Sequence, residues 1–380
     1  MNAVINRIVL FLYIVINVLF VEKYAARVIS CHWLVTICYV LCTCFAVGIL
    51  YKYITWCRHT QQLFLGLVVC MVCGAIGLQY SIDPLTLNVD RWSAIHNFLS
   101  GMFSGDYPYG QQTHLGGYGS PFPVWQIFHV PFYALGNVGL SIVVVFVLFL
   151  LTINHLHSSK TALVTALLLC ISPAFWYEVA VRSDLITNLM LSALITEWLV
   201  HREVKLTNHV TGIGVLFGLM LSTRLIAVIP LCVLYGYEFL QMNWKKQLQM
   251  IIIVPLVFAL TMLPFVLWQG STLLFFEYNP FVLQTRQGSW AVLLIFAIIA
   301  VSVTVWLRGI MTYRAAITGF LLSGLVMMAF VEKMWQQNLW TELFSSAFDI
   351  TYLSVALPFY AIHLALAFTY HPSFTLESGS

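Results

Sequence analysis

Residues 210–241 read VTGIGVLFGLMLSTRLIAVIPLCVLYGYEFLQ, and where this run is cut decides the fold. It is too long for one membrane helix, which needs about 20 apolar residues. It also carries Arg224 near its middle, and a charge at the bilayer centre costs about 2.5–3.5 kcal/mol on insertion scales. Cutting it into helices 210–223 and 225–241 puts Arg224 at a membrane-surface turn and removes that cost. The cut keeps Trp244-Lys245-Lys246 on the same face as Arg202 and Lys205. One unbroken helix would invert everything downstream.

The rest of the chain uses the same solvent. Of 380 residues, 61% are hydrophobic and 8% charged, and the mean hydropathy is +0.91. Soluble domains carry about 25% charged residues. Residues 1–380 therefore read as one all-α polytopic membrane domain with no soluble module. Twelve helices are expected, at 3–21, 33–51, 62–80, 137–155, 161–177, 185–200, 210–223, 225–241, 249–268, 290–307, 315–331 and 350–370. Several are short, which membrane proteins tolerate where helices tilt or line a cavity. The first helix lacks a small-residue cleavage site and reads as retained. The polar Leu376–Ser380 reads as an appended tail. A net charge of +3 is too small to suggest a nucleic-acid partner, no basic tract supports one, and none is expected. The nine cysteines lie mostly in apolar runs, Cys70-x-x-Cys73 included, and read as packing residues.

Charge orients this frame. With a cytoplasmic N-terminus, ten basic residues face inward (Arg7, Lys52, Arg58, Lys160, Arg202, Lys205, Lys245, Lys246, Arg308 and Arg314) and seven outward (Lys23, Arg27, Arg91, Arg182, Arg224, Arg286 and Lys333). Ten of the fourteen acids fall outside: Glu22, Asp83, Asp90, Asp106, Glu178, Asp184, Glu277, Glu332, Glu342 and Asp349. Only Glu197, Glu203, Glu238 and Glu377 lie inside or in the inner half. The chemistry is expected on the outer face, with both termini cytoplasmic.

The longest polar stretch on that face is 81–123, SIDPLTLNVDRWSAIHNFLSGMFSGDYPYGQQTHLGGYGSPFP. Within the extracytoplasmic loop 81–136, Trp92, Ile95, Leu99 and Met102 recur at helical spacing until Gly101 and Gly105 break the run. This helix is too short to span and should lie on the outer surface with its apolar face in lipid. Residues 122–135, interrupted by Pro123 and Pro131, read as a second interfacial or re-entrant segment. Asp90 opens the first helix, either as its N-cap or as a general base held within reach of a hydroxyl. A cap position is compatible with both.

Asp90 and its helix, then Gly105-Asp106-Tyr107-Pro108-Tyr109, then Tyr118-Gly119-Ser120-Pro121-Phe122-Pro123, resemble the first outer loop of the GT-C integral-membrane glycosyltransferases. The likeness is to their polyprenyl-phosphate-mannose-dependent branch. Ser172-Pro173-Ala174-Phe175-Trp176 through Arg182-Ser183-Asp184 is similar to a later outer turn of that family. Residues 212–230 resemble its glycine-rich helix, basic residue and proline. The likeness covers roughly residues 85–240, and this chain departs from the G-D-P-Y and Y-x-P-P patterns with Gly-Asp-Tyr-Pro-Tyr and Ser-Pro-Phe-Pro. It implies a GT-C fold, a sugar on a polyprenyl-phosphate donor, a glycolipid or glycan acceptor, and inversion at the anomeric carbon with Asp90 as base.

The leaving phosphate would then need a cation, for which arginine suits by geometry. Arg224 is the first candidate and Arg286 the second; Arg224 also reads as a snorkelling residue. Arg182 is the third, or pairs with Glu178 or Asp184. Asp184 orients the acceptor or caps helix 185–200. His96 touches a sugar or is a plain surface histidine. Tyr109 and Tyr118, with Tyr107, stack on sugar faces or mark the interface. His114 and Gly116-Gly117 read as a flexible loop, or as glycines that let backbone approach a phosphate.

No DxD, HExxH or Cys/His ligand spacing is present outside the apolar runs, so no metal or other cofactor is expected. No phosphate loop or dinucleotide fingerprint offers a site for a nucleotide-sugar. The alternative is a polytopic transporter or flippase, which would show midplane charges, broken helices in matching halves and inverted repeats. A polysaccharide polymerase or ligase would carry its arginine-rich loop late in the chain. No N-x-S/T sequon supports the endoplasmic reticulum, and a bacterial plasma membrane is the expected location.

Overall fold

The run 210–241 folds as two helices. The first ends at Leu221, Arg224 is extended (φ −151°, ψ 147°), and a 3₁₀ turn over Leu225–Val228 leads into the second. A computed structural model describes residues 3–275, 278–286, 288–307, 311–337 and 349–369. Arg308, Glu277, Glu342, Glu377 and Leu376–Ser380 lie outside them.

In chain order the helices are α1 (Ala3–Ala25), α2 (His32–Tyr53), α3 (Thr60–Ser81), α4 (Arg91–Ser104), α5 (Pro123–Phe128), α6 (Val130–Ala134), α7 (Leu140–Leu156), α8 (Ser159–Cys170) and α9 (Pro173–Ala180). Then come α10 (Leu185–His201), α11 (Val210–Leu221), α12 (Ile229–Gln241), α13 (Trp244–Phe275), α14 (Pro280–Thr285), α15 (Trp290–Leu307), α16 (Arg314–Gln337) and α17 (Leu357–Thr369). The described residues contain no strand; an isolated bridge joins Gln112 and Tyr118.

The twelve segments expected from hydropathy fall on helical stretches, but 161–177 is divided between α8 and α9, and 350–369 between a 3₁₀ segment and α17. Six qualify as spans by length and composition: Ala3–Ala25, His32–Trp56, Thr60–Ser81, Trp244–Gln269, Arg314–Gln336 and Ile350–Thr369. The pair α8–α9, bent by 70°, makes up to seven, and the other five are shorter apolar helices. On α2, Trp33, Ile37, Leu41, Phe45 and Ile49 are all exposed. Leu256, Leu260, Leu263 and Leu267 are exposed along α13, and Leu294, Ile298, Val301 and Val305 along α15. Water does not tolerate such stripes on a monomer, and helices apolar all round belong in lipid. The chain has the build of a helical membrane protein.

Small residues set one close crossing. A Cβ on Gly218 of α11 would meet Val257 Cβ of α13 at 2.6 Å, and one on Gly214 would meet Ile253 Cγ2 at 3.0 Å. The glycines let the two helices touch, as small residues do where lipid gives no hydrophobic drive.

Both ends of the bundle are pinned by polar contacts. Asn6 meets His363 at 3.0 Å, placing the start of α1 against the middle of α17. Glu197, buried, is held by Arg314 and by His157 (3.0 Å). At the opposite end lies the loop 81–136. The apolar face of α4 is covered by protein, correcting the expectation of a lipid-facing helix. Ile95, Phe98 and Leu99 pack with Tyr107, Tyr109, Phe122, Trp125, Met262 and Phe265. Residues 122–135 become α5 and α6, with Trp125, Gln126, His129 and Phe132 buried.

Candidate functional site

Asp90 occupies the residue before α4, but its side chain caps nothing there. Instead Oδ2 accepts a 2.9 Å hydrogen bond from Thr113 Oγ1, so the cap reading fails. The hairpin around Gly116 supplies this clamp. Thr113 N–H donates to the Gly117 carbonyl (2.8 Å), and Gly117 N–H donates back to Thr113 Oγ1 (3.1 Å). A Cβ on Gly117 would lie 3.0 Å from Asp90 Oδ2, so the glycine lets the hairpin close on the carboxylate. His114, expected in a flexible loop, is tied by Nδ1 to Ser93 Oγ (2.7 Å) and by Nε2 to the Leu87 carbonyl (2.9 Å). Among the described residues nothing donates to Asp90 Oδ1.

Asp90 faces a polar cavity of about 310 Å³ lined also by Arg91, Tyr118, Ser120, Asp184, Arg224, Arg286, Asp349 and Tyr352. Asp184 does not cap α10. Its Oδ2 accepts from Arg224 Nε (2.9 Å), Arg224 Nη2 (2.5 Å) and Trp125 Nε1 (2.8 Å). Both partners are buried, at 2% and 6% exposure. Burial alone would raise the Asp184 carboxyl, but the charge and hydrogen bonds of Arg224 hold it below the ordinary carboxylate value. Arg224 Nη1 remains toward Ser120 Oγ at 3.5 Å. The break that frees Arg224 is bonded to the end of the first loop: Phe122 N–H and Val124 N–H donate to the carbonyls of Thr223 and Ser222. Gln284 of α14 ties the third side, accepting from Leu225 N–H (2.9 Å) and donating to the Ser120 carbonyl (2.7 Å).

Arg224 lies where two environments meet. It and Ser120 also line an apolar cleft walled by Leu185, Leu225, Ile226, Val292, Leu293, Leu322, Leu325, Val326, Ala329 and Val355. The cleft encloses about 90 Å³, room for a short apolar segment beside the polar cavity.

Two residues central to the cavity carry no motif. Arg91 donates to Ser183 Oγ (2.7 Å), Asp349 Oδ2 (2.7 Å), Glu178 Oε1 (3.4 Å) and Thr351 Oγ1. It joins the first loop, the α9–α10 turn and the segment before α17. Burial works against the Arg91 charge, but Asp349 and Glu178 more than reverse it and raise its pKa. Burial would likewise raise Asp349, yet Arg91 and the hydrogen bonds of Thr351 lower it.

The structure brings Asp90, Asp184, Arg224, Arg286 and Tyr118 together, with Arg286 exposed. It does not bring in three other candidates. Arg182, at a left-handed φ of 53°, donates to the carbonyls of Gln79 and Ile82 at the end of α3, where a cation suits the helix dipole. It pairs with neither Glu178, which Arg91 holds, nor Asp184, which Arg224 holds. His96 stacks on Trp92 at 4.5 Å and burial lowers its pKa. Tyr109 is buried among Phe98 and Phe265, with its hydroxyl on the Pro121 carbonyl (3.3 Å), and has no face for a sugar.

No family model, curated protein or solved structure matches this chain. Among the described residues no three His, Cys, Asp or Glu side chains gather as a metal-binding group.

Proposed function

We propose that the chain is a GT-C-type membrane glycosyltransferase that moves a sugar from a polyprenyl-phosphate donor to an acceptor hydroxyl. The observation that supports this best is the position of Arg224, on the wall shared by the carboxylate-lined cavity and the apolar cleft. That pairing fits a lipid phosphate better than a soluble nucleotide-sugar. The donor phosphate would sit at Arg224 Nη1 and Arg286, its prenyl chain along the cleft. Tyr118 would present its ring to the sugar, and Asp184 would hold Arg224 rather than touch the acceptor.

In the reaction the acceptor O–H gives its proton to the Asp90 carboxylate. The oxygen forms a bond to the anomeric carbon from the face opposite the phosphate, and the bond from that carbon to the phosphate oxygen breaks. The electron pair leaves on polyprenyl phosphate, and the configuration inverts. A hexose such as mannose is the sugar this reading favours, and no metal or other cofactor takes part in it. The cavity end faces outward from a plasma membrane, and the end holding Asn6 faces the cytoplasm. The test is turnover of polyprenyl-phosphate mannose and polyprenyl-phosphate glucose, each labelled in the sugar, by the purified protein. Consumption of one with release of polyprenyl phosphate supports the reading. Inertness toward both, in the presence of membrane-derived acceptors, overturns it.

A further inference from the structure

A cavity of about 590 Å³ lies beyond the apolar cleft, further along the bundle from Arg224. The cleft takes Ile226, Val292, Leu293 and Leu325 as walls; about one turn on, Ile229, Phe296, Ala297 and Leu321 line the cavity. Ile229, Phe296 and Leu321 pack in one cluster at the junction. From Ile229 to Leu240 the cavity follows α12 for about 16 Å, at 1.5 Å per residue. Small residues recur along its walls once per turn: Cys232 and Gly236 on α12, and Ala297, Ala300 and Thr304 on α15. The helical pitch of about 5.4 Å is close to the length of one extended isoprene unit. Gly236 also lets the two helices touch, since a Cβ there would meet Thr304 Cγ2 at 2.6 Å.

We propose that this cavity receives the isoprene units of the donor that follow the cleft, so that the protein selects its lipid carrier by a single methyl-branched chain of geranylgeranyl reach. The inference rests on the glycosyltransferase reading and adds the carrier's specificity to it. The cleft holds only a short segment of chain, and a tail whose phosphate lies at Arg224 meets the cavity next. To enter, it turns the Phe296 ring aside. A tail that leaves lipid or detergent for this cavity gains little from the hydrophobic effect, because one apolar surrounding replaces another. Selection therefore comes from fit. Methyl branches sit in the gaps left by the small residues, and the selected length ends at Phe239 and Leu240. Isoprene units beyond that point lie in lipid and go unselected.

Cys232 is exposed and lines the cavity, so its thiol reports occupancy in the wild-type protein. The purified protein is treated with a lipid-soluble maleimide, and labelling of Cys232 is followed by peptide mass spectrometry. Geranylgeranyl phosphate, geranyl phosphate, hexadecyl phosphate and geranylgeraniol are compared at one detergent concentration. The proposal expects geranylgeranyl phosphate to slow labelling roughly tenfold, which is about 1.4 kcal/mol, and the other three to leave it near the free rate. Equal protection by hexadecyl phosphate or by geranylgeraniol makes the cavity a general lipid groove and overturns the proposal. Turnover supplies the second readout, with the productive sugar carried on geranylgeranyl or geranyl phosphate. Wild type should favour the longer donor by about tenfold in kcat/KM, and Ala300→Leu, which fills part of the cavity, should lose that preference. The Cys232 readout needs no variant, so the test stands if Ala300→Leu does not fold. Equal use of both donors by the wild type, with Cys232 unprotected, overturns the proposal and leaves the donor reading standing. Protection of Cys232 by geranylgeranyl phosphate without transfer from any donor would instead sink the transferase reading alone.

Discussion

Replacing Arg224 by Met strands the Asp184 carboxylate in a buried site. Asp184 is 2% exposed and accepts three hydrogen bonds on Oδ2, two of them from Arg224. Removing one partner of a buried ion pair costs about 3–5 kcal/mol, while removing both charges is often close to neutral. Arg224→Met and Asp184→Asn should each lose about that amount. The asparagine keeps a carbonyl oxygen for Trp125 Nε1, so the second change removes charge and little else. The double variant, with no stranded charge, should be no worse than the poorer single, a coupling of at least about 3 kcal/mol. At about 2–4 °C per kcal/mol for a domain of 150–250 residues, each single loses on the order of 6–20 °C in Tm, and less in a longer chain. Thermal unfolding in a mild detergent reads the shifts, and titrated unfolding in mixed micelles reads the coupling. Losses that add within about 0.5 kcal/mol would refute the pair and the shape of the cavity with it.

Three further outcomes follow from the same contacts. Arg91→Lys exchanges a fork that reaches Ser183, Glu178, Asp349 and Thr351 for a point charge, so hydrogen exchange should rise over Ile350–Ala356 while α1 stays protected. Gly218→Val places a Cβ 2.6 Å from Val257 Cβ, which should cost about 1–3 kcal/mol as overpacking, read as a lower Tm with the Asp184–Arg224 coupling intact. Asp184 and Asp349 both titrate below the ordinary value in the folded chain. Their stabilisation is therefore complete above the unfolded pKa of about 3.9 and is lost as pH falls through the lower folded values. Tm should show no contribution from them between pH 7 and 5 and a drop below about pH 4, smaller in Asp184→Asn.

Legibility in the sequence followed the price of charge in lipid. Arg224 could not remain mid-span, and the break at 222–224 is where that cost placed it. The same argument put Asp90, Asp184 and Arg286 at one end of the bundle, and they share a cavity. Arg91 was not legible as a hub because its partners lie 87 to 260 residues away, and only the packing of α9 and the α17 approach joins them. Asp349 was visible as an outer acid but had no motif to connect it with Asp90. Tyr109 and Arg182 have the residue types a sugar–phosphate site uses, yet local packing claims both. Tyr109 fills the aromatic core under α4, and Arg182 caps the carbonyls of α3. The lipid-facing reading of α4 failed for a related reason. An amphipathic stripe records that one face is covered and not whether lipid or α13 covers it, and Met262 and Phe265 of α13 do.

The central claim is that Asp90 takes the acceptor proton. Its most direct test is single-turnover transfer from the productive polyprenyl-phosphate sugar by Asp90→Asn, with Asp106→Asn as the control. Asp106 is exposed beyond α4 and outside the cavity. A positioned general base contributes roughly 10²–10⁴-fold. The account expects at least a 10²-fold loss in Asp90→Asn with donor binding retained, and wild-type transfer in Asp106→Asn. Transfer by Asp90→Asn at the wild-type rate would contradict it and leave Asp90 as no more than the residue that Thr113 and Gly117 close upon.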